Sequence, residues 1–158
     1  METTRHFVAT VYVVNDGAVA LHEHEKLEMW LPPGGHIDRD ELPHEAAKRE
    51  TREEIGLNVE LVTPETVALE SDAARSIPKP QHFLLEDINV HDGDVGHQHI
   101  DFVYYGHVES RDISPADGET DADAWEWLTA PELDGNERFP ADVREAGKRA
   151  IEVVGDRN

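Results

Sequence analysis

The chain predicts an α/β fold, a mixed sheet packed between helices, in one domain spanning residues 1–158. Three observations lead there. Apolar runs of strand length recur from Phe7 to Leu128. Two stretches, beginning at Pro43 and Pro140, carry apolar residues at three- and four-residue spacing, the signature of amphipathic helices. Strands interleaved with helices along 158 residues suit a sheet with helices against it, and the length suffices for a sizeable core.

In chain order, Phe7 to Val14 is apolar on both alternating faces, as in a strand buried on two sides. Asn15-Asp16-Gly17 signals a hairpin, and Ala18 to His22 returns from it. Leu27 to Leu31 reads as a short third strand stopped by Pro32-Pro33-Gly34-Gly35. The first helix starts at Pro43, since proline suits the first helical position, and leaves Leu42 in a cap slot that it fills poorly. Ala47, Thr51 and Ile55 form its inward stripe, and Gly56 ends it. Residues 58–69 hold one or two strands broken at Pro64, and 73–80 are a loop. Strands follow over 82–90 and 99–108 around a turn at His91-Asp92-Gly93-Asp94, with Ile100, Phe102, Tyr104 and Val108 on one face. Residues 110–123 read as a solvated acidic loop, 125–128 as a strand, and 140–154 as a helix facing inward through Val143, Ala146, Ala150, Ile151 and Val154. Trp125 and Trp127 share a strand face and read as core or dimer contacts.

Composition narrows the function. There are 35 acidic and 14 basic residues, a net charge of −21. Such a surface repels nucleic-acid backbones and anionic lipid, so neither is expected as a partner. The simplest account of so much self-repulsion is adaptation to a salt-saturated, halophilic cytoplasm where ions screen it. A disordered acidic protein is the rival account, and the clear apolar patterning argues against it. The absence of cysteine removes disulfides, thiolate zinc sites and cysteine nucleophiles. No basic-then-apolar leader opens the chain, and no run approaches the roughly 18 apolar residues of a membrane span. A cytoplasmic enzyme is expected.

The chemistry concentrates in the 23 residues from Gly35 to Leu57. Glu50, Glu53 and Glu54 project from one helical face within a turn. Carboxylates so crowded repel one another unless neutralised, and a hard divalent cation, Mg²⁺ or Mn²⁺, prefers oxygen ligands. Arg49, four residues before Glu53, is placed to orient a carboxylate by a forked hydrogen bond. An ordinary solvated helix in an acidic protein would also be rich in glutamate. It would not set two glycines, Glu41 and Arg49 at fixed offsets.

Those offsets resemble the Nudix box, G-x5-E-x7-R-E-U-x-E-E-x-G-U with U a bulky aliphatic. Gly35, Glu41, Arg49, Glu50, Glu53, Glu54, Gly56 and Leu57 agree, and Thr51 departs, being β-branched but carrying a hydroxyl. On this resemblance the chain is identified as a member of the Nudix hydrolase family, with that family's α/β/α sandwich. The resemblance implies metal-assisted hydrolysis of a pyrophosphate bond in a nucleoside diphosphate linked to another group, such as a nucleoside triphosphate, a nucleotide sugar or ADP-ribose. It implies metal ligation by Glu50, Glu53, Glu54 and the Gly35 carbonyl. Either Glu50 or Glu53 deprotonates the water, unless a distant loop supplies the base. Arg49 and Glu41 join the catalytic set, Glu41 bracing the loop or ligating through water. A homodimer is common in the family. The alternative is a Nudix-fold binding or sensor module without hydrolysis, which would have no need of the complete REXXEE.

Other candidates stand outside the box. His97, His99 and Asp101 alternate on one strand face, as a second metal or substrate constellation or as a polar face turned to solvent. Glu86, Asp92 and Asp94 are candidate extra ligands or surface acids, and His22 and His24 a metal pair lacking a third ligand. Trp30 is placed to line a base pocket or to pack in the core. Downstream of the box, Asp72-Ala73-Ala74-Arg75 stands where ADP-ribose enzymes carry a proline, and the tyrosine of dinucleoside polyphosphate enzymes is absent too. The coenzyme A signature is also missing.

Overall fold

A computed structural model describes residues 2–155. It contains strands β1 (Thr4–Asn15), β2 (Ala18–His24), β3 (Met29–Leu31), β4 (Gly34–His36), β5 (Glu60–Val62), β6 (His82–His91), β7 (Asp94–His107) and β8 (Trp125–Thr129), with helices α1 (Pro43–Ile55), α2 (Ala130–Leu133) and α3 (Ala141–Val154). All eight strands join one sheet, ordered β3-β2-β1-β7-β5, with β4 beside β1, β6 beside β7 and β8 beside β2. The sheet is mixed: β1 and β7 run parallel from Thr4↔His97 to Val14↔His107, and the other pairs are antiparallel.

Alternation along β1 explains the layers. Ala9, Val11 and Val13 face α1, meeting Ala46, Ala47, Ile55 and Tyr104. Tyr12 and Val14 face α3, meeting Tyr105, Val143, Ala146, Ala150 and Val154. The strand is apolar on both faces because each has its own helix. Trp125 and Trp127 pack together on the α1 side, so the core accounts for both.

Local chemistry sets the boundaries. Asp16-Gly17 and Asp92-Gly93 take positive φ at both positions (46° and 76°, 50° and 82°), which matches the twist of tight hairpins. In α1 Thr51 is fully buried, and its hydroxyl donates to the Ala47 carbonyl at 2.8 Å, so the departure from an aliphatic costs no unsatisfied group. Leu42 offers no side-chain cap, but the Glu45 carboxylate accepts from its amide at 2.8 Å.

Several expected elements shift. The third strand is only Met29–Leu31, and Gly34–His36 continues as β4 where a stop was expected. A Cβ on Gly34 would lie 2.8 Å from the Ala9 carbonyl oxygen, so the glycine that looks like a breaker permits strand pairing. Residues 58–69 yield only β5, and just beyond them Glu70 makes an isolated bridge to Arg75. β7 begins at Asp94, five residues before the expected strand, and α2 was not anticipated. Among the described residues no helix is long and apolar enough to cross a membrane.

Candidate functional site

α1 presents Arg49, Glu50, Glu53 and Glu54 against the turn through Gly34 and Gly35. Arg49 organises the cluster. Its Nε and Nη2 donate as a fork to Glu41, at 2.7 and 2.9 Å. Its Nη1 donates to Glu50 at 2.8 Å and to Glu53 at 3.1 Å, and Nη2 also reaches the His36 carbonyl at 3.0 Å. The expected forked bond thus goes to Glu41, with a single bond to Glu53. Glu41 also accepts from the Asp38 amide at 3.0 Å, which braces the acidic loop on the helix. The Arg49 bond holds the Glu41 carboxyl below its usual range.

Glu50 and Glu54 are differently placed. A Cβ on Gly35 would sit 2.5 Å from the Glu50 carboxyl carbon, so this carboxyl reaches its position only over a glycine. Burial pushes the Glu50 carboxyl up, against the opposing pull of Arg49. Glu54 accepts from the Gly34 amide at 2.7 Å. Burial, with the charges of Glu50, Glu119 and Glu53 added, pushes it up to about 8.

Glu119 is the residue that sequence reasoning missed. The acidic segment 110–123 is not merely solvated: the Ser114 amide donates to the Ile55 carbonyl and the Ala116 amide to the Glu53 carbonyl, both at 2.8 Å. These bonds tie the loop to the last turn of α1 and bring Glu119 close enough to perturb Glu50 and Glu54.

Gly34, Gly35, His36 and Glu54 form one rim of a cavity of about 710 Å³ that opens over the α3 face of the sheet. Glu86, His99 and Asp101 line it farther in. Asp101 is buried, and both its oxygens accept from the Thr10 hydroxyl, at 2.6 and 2.7 Å. Burial raises both carboxyls, and the charge of Asp101 adds to the rise on Glu86, which reaches about 9. Burial and mutual repulsion therefore favour a proton on the pair. Trp30 lies outside the cavity lining among the described residues. It packs edge-on to Phe139 at 5.5 Å under the Arg138 guanidinium, while Met29 and Leu31 form the wall. Asp92 and Asp94 sit at the exposed tip of the β6–β7 hairpin. His22 and His24 have ring centroids 6.2 Å apart, and burial lowers His22 to about 4.

The donor set suits a hard cation: carboxylates at Glu50, Glu53, Glu54 and Glu119, and the carbonyl of Gly35. Among the described residues no three acidic or histidine side chains already surround a common point. Arg49 takes up the inner oxygens of Glu50 and Glu53, and the proton that Glu54 holds up to about 8 marks the position most in need of positive charge.

The family model for the NUDIX domain matches residues 4–150. Among solved structures, a NUDIX-family hydrolase from Clostridium perfringens is 32% identical, with a TM-score of 0.79 over 95% of this chain and 98% of that one. A MutT protein from Methanosarcina mazei Go1 has a TM-score of 0.68 at 18% identity, over 96% of both chains. A MutT NUDIX hydrolase from Burkholderia pseudomallei has a TM-score of 0.61 at 20% identity, over 96% of this chain and 99% of that one. No curated protein matches the chain.

Proposed function

The chain belongs to the NUDIX family of hydrolases, and from that premise we propose that its 158 residues form one cytoplasmic pyrophosphohydrolase domain, dependent on Mg²⁺ or Mn²⁺ and acting on a small nucleotide in concentrated salt. One observation carries the reading. The Glu50 carboxyl rests on Gly35 with no room for a Cβ, and Glu54 is bonded to Gly34, so box helix and glycine turn make one acidic cradle at the rim of a 710 Å³ cavity. Glu50, Glu53, Glu54 and the Gly35 carbonyl would hold the metal, with Glu119 reaching in from its loop. Bound there, a divalent cation screens the diphosphate and acidifies a water.

The chain's own groups do the remainder. Arg49 fixes Glu50 and Glu53 from one nitrogen, and Glu41 locks the guanidinium in place. Glu53 is the more exposed of the two carboxylates at 43%, against 15% for Glu50, so it meets water first and takes its proton as that water attacks phosphorus. The cavity takes the nucleoside, with His99 and Asp101 among its contacts.

A substrate panel in high KCl with Mg²⁺ tests the proposal: nucleoside triphosphates, oxidised dGTP, ADP-ribose, nucleotide sugars and dinucleoside polyphosphates, with products separated by chromatography. Release of a nucleoside monophosphate from one of them is the expected result. Silence across the panel, with metal still raising the melting temperature, would transfer the assignment to a nucleotide sensor.

A further inference from the structure

Four histidines from three strands close into a ring beside the cavity. Parallel pairing sets His6 opposite His99 and Thr4 opposite His97, and β4 sets His36 opposite Val8. All four side chains therefore share one face of the sheet. Ring centroids are 5.2 Å apart for His6–His36, 5.3 Å for His36–His99, 5.2 Å for His97–His99 and 4.6 Å for His6–His97. Each ring thus touches two others.

These separations carry a meaning. Imidazoles bound to one dication through nitrogens about 2.0–2.1 Å from it have centroids roughly 4.5–5.2 Å apart, for angles from square to tetrahedral. The four measured values, 4.6 to 5.3 Å, match it to within 0.1 Å. Edge-on ring packing alone gives similar distances, and the opposite face of the same strands has it, between Phe7, Phe83 and Phe102. There the rings are phenylalanine. Packing does not explain why four of the chain's ten histidines meet on this face.

One ring is held in place by a hydrogen bond. The Thr4 hydroxyl lies 2.8 Å from His97 Nδ1, which engages that nitrogen and leaves Nε2 as the one open to a ligand. Burial, reinforced by His36, His97 and His6, lowers the His99 pKa, in the direction that favours metal binding over proton binding.

We propose that His6, His36, His97 and His99 form a binding site for a borderline transition-metal dication of the Zn²⁺, Ni²⁺ or Cu²⁺ class, separate from the carboxylate cradle. Imidazole selects such ions, whereas carboxylates and carbonyls select Mg²⁺. No three of these rings yet surround one point, so the site closes by ring rotation. His6 and His36 are exposed and hold no hydrogen bond through their rings among the described residues, whereas His97 and half-buried His99 form the fixed side. His36 and His99 line the cavity, so the ion faces the space assigned to substrate, and the net charge of −21 favours its capture.

The test is a Co²⁺ titration of the untagged full chain in high KCl with excess Mg²⁺ to occupy the cradle. One equivalent of Co²⁺ is expected to give the intense visible bands of a nitrogen-ligated, four-coordinate ion, displaced by Zn²⁺. The double variant His6→Gln/His97→Gln is expected to lose about 100-fold or more in affinity, together with those bands. Glu53→Gln/Glu54→Gln is expected to keep both. Absence of binding to the natural chain, unchanged binding in the histidine variant, or loss in the glutamate variant would each overturn the proposal. Histidine ring proton shifts on adding Zn²⁺ to the natural chain identify the ligands without any variant, and shifts confined to other histidines would also refute it.

Discussion

The molecule buries two groups of acids, about one cavity, and balances them differently. On α1, a guanidinium fixed by Glu41 lies against Glu50 and Glu53, while Glu54 has only the Gly34 amide. Across the sheet, Glu86 and Asp101 have the Thr10 hydroxyl and a proton that burial favours on the pair. Glu41, held by the guanidinium fork, stays below its usual range, whereas on Glu50 burial outweighs the same guanidinium. Where no cation is built in, a proton takes its place, on Glu54 as on Glu86. A proton is exchangeable, so Glu54 can give it up to a stronger positive charge. Glu86, already matched to Asp101, has less reason to.

The largest effect that separates the two groups is on turnover. Glu53→Gln and Glu54→Gln are each expected to lower kcat by roughly 10²- to 10⁴-fold while leaving the melting temperature within a few degrees. Full activity in both would move the chemistry off α1.

Stability against pH separates them next. Glu86 rises on folding from 4.5 to about 9, so the folded state holds its proton more tightly than the unfolded state. That contribution is complete below 4.5 and fades as pH climbs toward 9. The natural chain should therefore lose about 2 kcal/mol relative to Glu86→Gln between about pH 5 and pH 9, after allowance for solvent screening. Denaturant titrations at both pH values measure it, and parallel stability curves for the two proteins would show that the pair does not share a proton.

Salt provides the smallest contrast. Moving from about 0.1 to 2 M KCl should raise both melting temperatures by several degrees by screening exposed acids. The difference between natural chain and variant should change by no more than about 0.5 kcal/mol, because buried charges are screened less. A difference that vanished in salt would make Glu86 a surface acid.

Legibility in the sequence divides along similar lines. The cradle was readable because Arg49, Glu50, Glu53 and Glu54 lie within one helical turn and a half, where spacing alone fixes the shared face. The opposite wall was half readable. Alternation put His97, His99 and Asp101 on one face, but their partners His6, His36 and Glu86 come from other strands, and no local pattern encodes strand register. Glu119 was hidden by its surroundings, since backbone amides, not side chains, dock its loop on α1. The strands expected from Phe7 and from His99 begin earlier, at Thr4 and Asp94, because strand pairing there joins mostly polar residues, Thr4 with His97 and His6 with His99.

The parallel ladder between β1 and β7 also has a temporal consequence. Each of its pairs joins residues 93 positions apart, from Thr4↔His97 to Val14↔His107. Such contacts close late, after a large loop has been ordered, and they slow folding relative to local structure. The helix bearing the box can form early. The strand that supplies His99 and Asp101 cannot take its place beside β1 until most of the polypeptide has left the ribosome. A nascent chain therefore carries its acidic helix before it has the strand pairing that completes the pocket wall.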